Sequence, residues 1–253
     1  MDFAIRSFEY WVRSYRRVWR GSLVTSVVGP VLYLTALGVG LGTIVNRSRG
    51  VGVPYLHYVA PGILAATVMQ IGTFESSYPV MAAIRWTRQY HAMLATPLRV
   101  RDLLFGHQLY VAARLAVVSA LYLAVIAAFG AIESPLALAG WPVAVLLGLA
   151  HSAPVSALSA WLERDEGFNA LFRFGITPLF LFSGTFFPVS RLPQGIREIA
   201  YAMPLWNGVD LERHLTLGTA TPWLSLVHVA YLVLWIAGGL ALSRRMLTRR
   251  LVE

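Results

Sequence analysis

The sequence predicts an all-α polytopic membrane protein, one transmembrane domain over 1–253 with six spans, and three observations predict it. The chain is 57% hydrophobic and only 13% charged, with a mean hydropathy of +0.61, whereas soluble domains carry about 25% charged residues. The apolar residues collect in uncharged stretches at 21–46, 50–74, 115–132, 134–162, 174–190 and 214–243, and a spanning helix needs roughly 20 such residues. The arginines gather beside those stretches rather than along one face, a distribution that reports topology before it reports a nucleic-acid partner.

The first twenty residues, "MDFAIRSFEYWVRSYRRVWR", place Ile5, Phe8, Val12, Tyr15 and Trp19 at spacings of three and four. That is one helix face. Arg6, Arg13, Arg16 and Arg20 lie one step round it, the pattern of an interfacial helix over 1–21 with aromatics dipped into lipid. The apolar run that follows is too long for a signal peptide.

The spans are expected at about 22–45, 58–82, 104–130, 137–161, 170–187 and 223–243. An even number puts both termini on one side. Fourteen arginines fall on that side, in the N-terminal segment, the 83–103 and 162–169 loops and the tail. Five (Arg47, Arg49, Arg191, Arg197 and Arg213) fall on the other. The positive-inside rule makes the termini cytoplasmic, in an inner (plasma) membrane.

Two connections exceed mere turns. The cytoplasmic 83–103 loop, "AIRWTRQYHAMLATPLRVRDL", predicts a short helix ended by Pro97, with Asp102 capping the next span. In the external 188–222 connection, Ile196, Ile199, Ala200 and Met203 recur at helical spacing. Pro193 lies near the start and Pro204 at the end. The segment just before it, "LFSGTFFPVSRLP" at 181–193, breaks an apolar run at Phe186-Phe187-Pro188. Beside the fifth span this predicts a short amphipathic helix that either rests on the outer leaflet or is re-entrant, dipping back towards it.

Composition also excludes chemistry. All 21 basic residues are arginine, and without lysine a P-loop cannot form, so ATP is not hydrolysed here by that route. With no cysteine there are no disulfides, thiolate nucleophiles or cysteine-ligated metals. His57, His91, His107, His151, His214 and His228 show no H-x-x-x-H spacing, and no catalytic or metal residue is expected. "ERDEGF" at 163–168 reads as a solvated turn or a partner contact.

Glu75 falls inside the second span, where a carboxylate is costly and faces a bundle interior, a partner or a water-filled path. A structural contact and a place on a substrate pathway both remain open for it. Arg114 is expected to snorkel to the cytoplasmic interface. Gly38 and Gly42 form a GxxxG that permits close helix packing. A secondary transporter would show inverted repeats and several intramembrane ionisable groups, and only Glu75 stands out.

Four segments carry a resemblance: "LYLTALGVGLG" (32–42), "YVAPGILAATVMQIGTFESSY" (58–78), "HAMLATPLRVRDLLFGH" (91–107), and "LFSGTFFPVSRLP" followed by "YAMPLWNGVDLERHLTLG" (201–218). In this order, and across nearly the whole chain, they resemble type-2 ABC exporter permeases of the NodJ-like nodulation-factor and daunorubicin-resistance subgroup. The resemblance implies a permease that dimerises, as a homodimer or with a paralogue, and engages a separate ATP-binding cassette subunit. ATP and Mg would sit on that subunit and no cofactor on this chain. It implies a coupling helix in the 83–103 loop, contacting the ATPase through Arg85, Arg88, Tyr90, His91, Met93 and Leu94. It further implies a pathway or dimer interface at Gly38, Gly42, Thr73, Phe74 and Glu75. Phe182, Phe186, Phe187, Pro188, Leu192 and Ile196 would form an external lid. The substrate class implied is an amphiphile: a lipid-linked saccharide, glycolipid or hydrophobic drug. Membrane lipids, and no nucleic acid, complete the partners. A proton-coupled drug efflux protein or a membrane-embedded transferase is the alternative.

Overall fold

The computed structural model describes residues 2–17, 19–47 and 52–252, and every regular element among them is helical. Arg49 of the charge tally lies outside the described residues. In chain order the helices are α1 (Asp2–Tyr15), α2 (Trp19–Tyr33), which runs through a π-helical stretch at Leu34–Leu41 into α3 (Gly42–Arg47), and α4 (Tyr55–Ser76). Next come α5 (Tyr78–Met81), a π turn at Ala82–Trp86, α6 (Gln89–Leu94), α7 (Val100–Ala128) and α8 (Ala137–Trp161). α9 (Glu166–Ala170), a π stretch at Leu171–Ile176 and α10 (Thr177–Phe182) follow. A 3₁₀ turn at Val189–Arg191, α11 (Ile196–Tyr201), α12 (Pro204–Leu217) and α13 (Pro222–Leu251) complete the chain.

Among the described residues, four helical stretches are long and apolar enough to cross a membrane: Val28–Arg47, α7, α8 and α13. The expected second span, 58–82, is not one helix: α4 stops at Ser76 and the chain continues through α5 and the π turn to Trp86. The expected fifth, 170–187, is assembled from α9, a π stretch and α10 and ends at Phe182, because Ser183–Phe187 turn away.

α8 is the hub, packed on α4, α7, α12 and α13. Its small residues explain this, since apolar side chains gain little by leaving lipid and close backbone approach supplies the attraction. Gly72 of α4 meets the Gly148 carbonyl so closely that a Cβ there would clash, and a Cβ at Gly239 of α13 would lie 2.7 Å from the Pro154 nitrogen.

α1 turns its most buried face through Ser7 and Trp11; of the expected stripe, Phe8, Val12 and Tyr15 are half-buried against the core and Ile5 and Trp19 are exposed. Ser7 donates to the Leu103 carbonyl of α7 at 3.4 Å, so the face is set by contact with a neighbouring helix. Pro204 does not merely end a helix. It occupies the first turn of α12, where a missing N–H costs nothing. Asp102, by contrast, caps α7 as expected, accepting from the Arg99 N–H at 2.9 Å.

The glycine crossing makes a test. Gly72→Val should lower the thermal unfolding midpoint in detergent micelles by several degrees, the overpacking penalty of about 1–3 kcal/mol. Gly238→Ala, where nothing lies within 4 Å, should leave it unchanged.

Candidate functional site

The centre of the site is the place where α4 breaks. Pro79 has no N–H and therefore cannot satisfy the carbonyl of Glu75, four residues back. Ser77 leaves helical geometry (φ −92°, ψ −98°), and its hydroxyl folds back to donate to the Phe74 carbonyl at 2.9 Å. The carbonyls released at Glu75 and Ser76 are buried in the bundle and must find donors. His107 Nε2 donates to the Glu75 carbonyl at 3.2 Å, which fixes that ring as the Nε2–H tautomer. The Ser159 hydroxyl donates to the Ser76 carbonyl at 2.6 Å.

A side-chain relay continues from there. Ser76 donates to Ser152 (2.6 Å), whose own proton goes to Gln108 Oε1 (2.9 Å). Gln108 Nε2 donates to Ser156 (3.0 Å). The relay ties α4, α7 and α8 together at one level, in a setting where unmade bonds are costly.

Glu75 itself pairs with Arg114 of α7, and the Tyr110 hydroxyl sits beside both. Arg114 therefore turns to a carboxylate and does not snorkel outward as expected. Its guanidinium also lies over the Tyr15 ring, 5.2 Å from the centroid. This ion pair forms one wall of a cavity of about 400 Å³, completed by Gln70, Phe74, Phe172 and Phe180 among others. That volume is within the range of small-molecule sites. Phe74 is half-exposed in it, whereas Thr73 is fully buried and faces the bundle. Gly38 and Gly42 pack on Leu56 and Tyr55 at the start of α4, within this chain.

Beyond the break, the chain enters α6 through Arg88, the one described non-glycine residue with positive φ (50°). Arg85, Arg88 and His91 are exposed, and Met93 and Leu94 are half-buried against the core. Tyr90 does not belong with them. It is fully buried and meets Trp11 edge-on at 6.4 Å, so it anchors the helix and has no surface left for a partner. Trp86, 59% exposed beside them, is a candidate that the sequence alone does not single out, because there it reads as an ordinary interfacial aromatic.

At the opposite end, the expected lid residues separate into two groups. Phe182 and Ile196 line one cleft of about 300 Å³ between α10 and α11. Phe186 instead packs edge-on against Phe180 at 5.0 Å, and Phe187, Pro188 and Leu192 bracket the 3₁₀ turn, half-buried.

Nothing in the local sequence pattern marks the polar groups that α12 brings to this end. Arg213 is half-buried, and Glu212 is fully buried with both carboxyl oxygens lacking a hydrogen-bond partner. Burial pushes that carboxyl well above the usual carboxylate range. Asp210 Oδ2 lies 3.3 Å from His228 Nε2 and 3.6 Å from His214 Nε2. No cluster of three or more His, Asp or Glu fit for a metal occurs among the described residues.

Residues 8–216 match the profile of the family described as ABC-2 type transporter. The chain is 32% identical over 251 residues to Nodulation protein J of Rhizobium leguminosarum bv. trifolii, covering 96% of this chain and 94% of that protein. Nodulation protein J of Rhizobium meliloti (strain 1021) is 30% identical with the same coverage. The protein of that name from Bradyrhizobium diazoefficiens is 29% identical over 94% of this chain.

Two carboxyls predict opposite outcomes. Glu75→Gln should cost about 3–5 kcal/mol in micelles by stranding Arg114, and adding Arg114→Gln should restore much of it. Glu212→Gln, an amide of the same shape where neither carboxyl oxygen makes a hydrogen bond, should leave unfolding nearly unchanged.

Proposed function

The chain belongs to the ABC-2 type transporter family, and on that premise we propose that it is the transmembrane permease subunit of an ATP-driven exporter. It moves an amphiphile from the cytoplasm or inner leaflet outward, with ATP hydrolysed by a separate cassette subunit. The observation that carries this reading is the joint at Ser77–Pro79. The exposed Arg85, Arg88 and His91, on the π turn, the α6 N-cap and α6 itself, follow directly on a span whose last turn holds the wall of an amphipathic cavity. A force applied to α6 cannot be absorbed by a loose loop. It reaches Glu75 within about four helical turns of chain.

In this reading 19–47, 55–86, α7, α8, 166–182 and α13 are the six spans, and α1 lies at the cytoplasmic interface with both termini inside. The half-apolar 183–203 segment closes the outer mouth. Two permeases assemble around the pathway, with the cavity beside Glu75 and Phe74 facing it. Its aromatic walls and paired charges suit a substrate with an apolar tail and a polar, hydrogen-bonding head. A lipid-linked saccharide, a glycolipid and a hydrophobic drug are the members of that class.

Because the chain contains no cysteine, single-cysteine variants report proximity without background. His91→Cys and Met93→Cys should crosslink in intact cells to the cassette ATPase, and deleting the ATPase gene should abolish the crosslinked product. Tyr90→Cys should not crosslink. Labelling of His91→Cys by an impermeant reagent from outside the cell would contradict the topology and the function together.

Phe187→Asp, which puts a charge into the half-buried lid, should abolish export while leaving membrane insertion intact. Normal export by that variant would remove the lid role.

A further inference from the structure

The Arg213 guanidinium is turned inward near the outer end of α4, and no carboxylate lies within ion-pair distance of it among the described residues. Enclosing a guanidinium in this way is expensive unless its donors are used. They are used on two other segments. Nε donates to the Tyr58 carbonyl of α4 at 3.1 Å, and Nη2 donates to the Gly184 carbonyl at 2.8 Å. The guanidinium carbon lies 3.7 Å from the Tyr58 ring centroid, close enough for a desolvated cation–π contact. The Tyr58 hydroxyl donates to the same Gly184 carbonyl at 3.2 Å, and the Tyr55 hydroxyl to the Phe186 carbonyl at 3.2 Å.

Three of these bonds end on 183–187, a segment with no helical hydrogen bonds of its own beyond Ser183. It also lies hard against α4, for a Cβ on Gly62 would come within 2.8 Å of the Thr185 carbonyl oxygen.

We propose that Arg213 is the positioning residue that pins the 183–187 turn shut against α4, so that the outer mouth opens only when α4 and α12 move apart. This rests on the exporter reading. The planar fork of arginine is what the geometry needs, because two carbonyls on different segments are held at once while the charge faces a ring. Lysine could keep the charge over Tyr58 but not both bonds. Asp210 acts on Arg213 only through space, so the direct contacts of the pin are the two backbone hydrogen bonds and the Tyr58 ring.

The test uses Thr185→Cys, at a fully buried position, in the otherwise cysteine-free chain complexed with its cassette ATPase. An impermeant maleimide applied from outside measures opening of the turn. Without ATP, labelling should be slow in the parent. Arg213→Gln should speed it about tenfold or more, Arg213→Lys and Tyr58→Phe by less, and Gly62→Ala, which wedges the turn off by sterics alone, should serve as the positive control. ATP should accelerate the parent and add little to Arg213→Gln.

Parent-like protection in Arg213→Gln, with Gly62→Ala labelled fast, overturns the pin. If Arg213→Gln labels fast but ATP never affects the parent, the pin stands and the exporter reading fails.

Discussion

One missing N–H organises this molecule. Pro79 cannot donate to the carbonyl of Glu75, so α4 ends a turn early and leaves two carbonyls inside the bundle. Their capture by His107 and Ser159 turns a potential fault into a joint between three helices. Had those donors been absent, the break would be a flexible kink. With them, the direction in which the chain leaves toward α6 is set by α7 and α8. The Glu75 side chain, in the last turn before the break, is held by the same α7 that supplies His107, so carbonyl capture and ion pair reinforce each other.

The two ends of the bundle are built by contrasting means. At the α6 end, large aromatics do the holding: Tyr90, Trp11, His107 and Tyr110 form a continuous cluster, with Trp11 stacked on Tyr110 at 5.7 Å. At the other end the contacts are hydrogen bonds from side chains to backbone carbonyls, made by Tyr55, Tyr58 and Arg213. Packed aromatics transmit displacement because a dense interior has no slack. A few directional bonds can be exchanged as a unit. On the proposed exporter reading, the α6 end is the rigid input and the opposite end the releasable output.

Much of the fold is legible in the sequence wherever the physics is one-dimensional. Apolar stretches, the Asp102 cap, the short helix before Pro97 and the cost of a carboxylate at Glu75 all follow from neighbours along the chain. Legibility ends where a partner is remote. Arg114 reads as an interface residue because Glu75 lies 39 residues away. Tyr90 reads as part of the outer face of α6, although Trp11 claims it. α12 reads as connection because Asn207, Asp210, Glu212 and Arg213 interrupt its apolar pattern. Those residues bond to or pack on other segments, and no local signal separates that from a solvated face. The stretch 170–187 looks continuous by hydropathy, and hydropathy does not register the turn at Gly184, whose φ of +83° only glycine adopts easily.

The most direct measurement is flux. With the permease and its cassette ATPase reconstituted in proteoliposomes, a fluorescent acylated oligosaccharide should move on addition of ATP and Mg. It should stop when the ATPase is made hydrolysis-dead, and be indifferent to collapse of a proton gradient. Transport by the permease alone, driven by that gradient, would contradict the account.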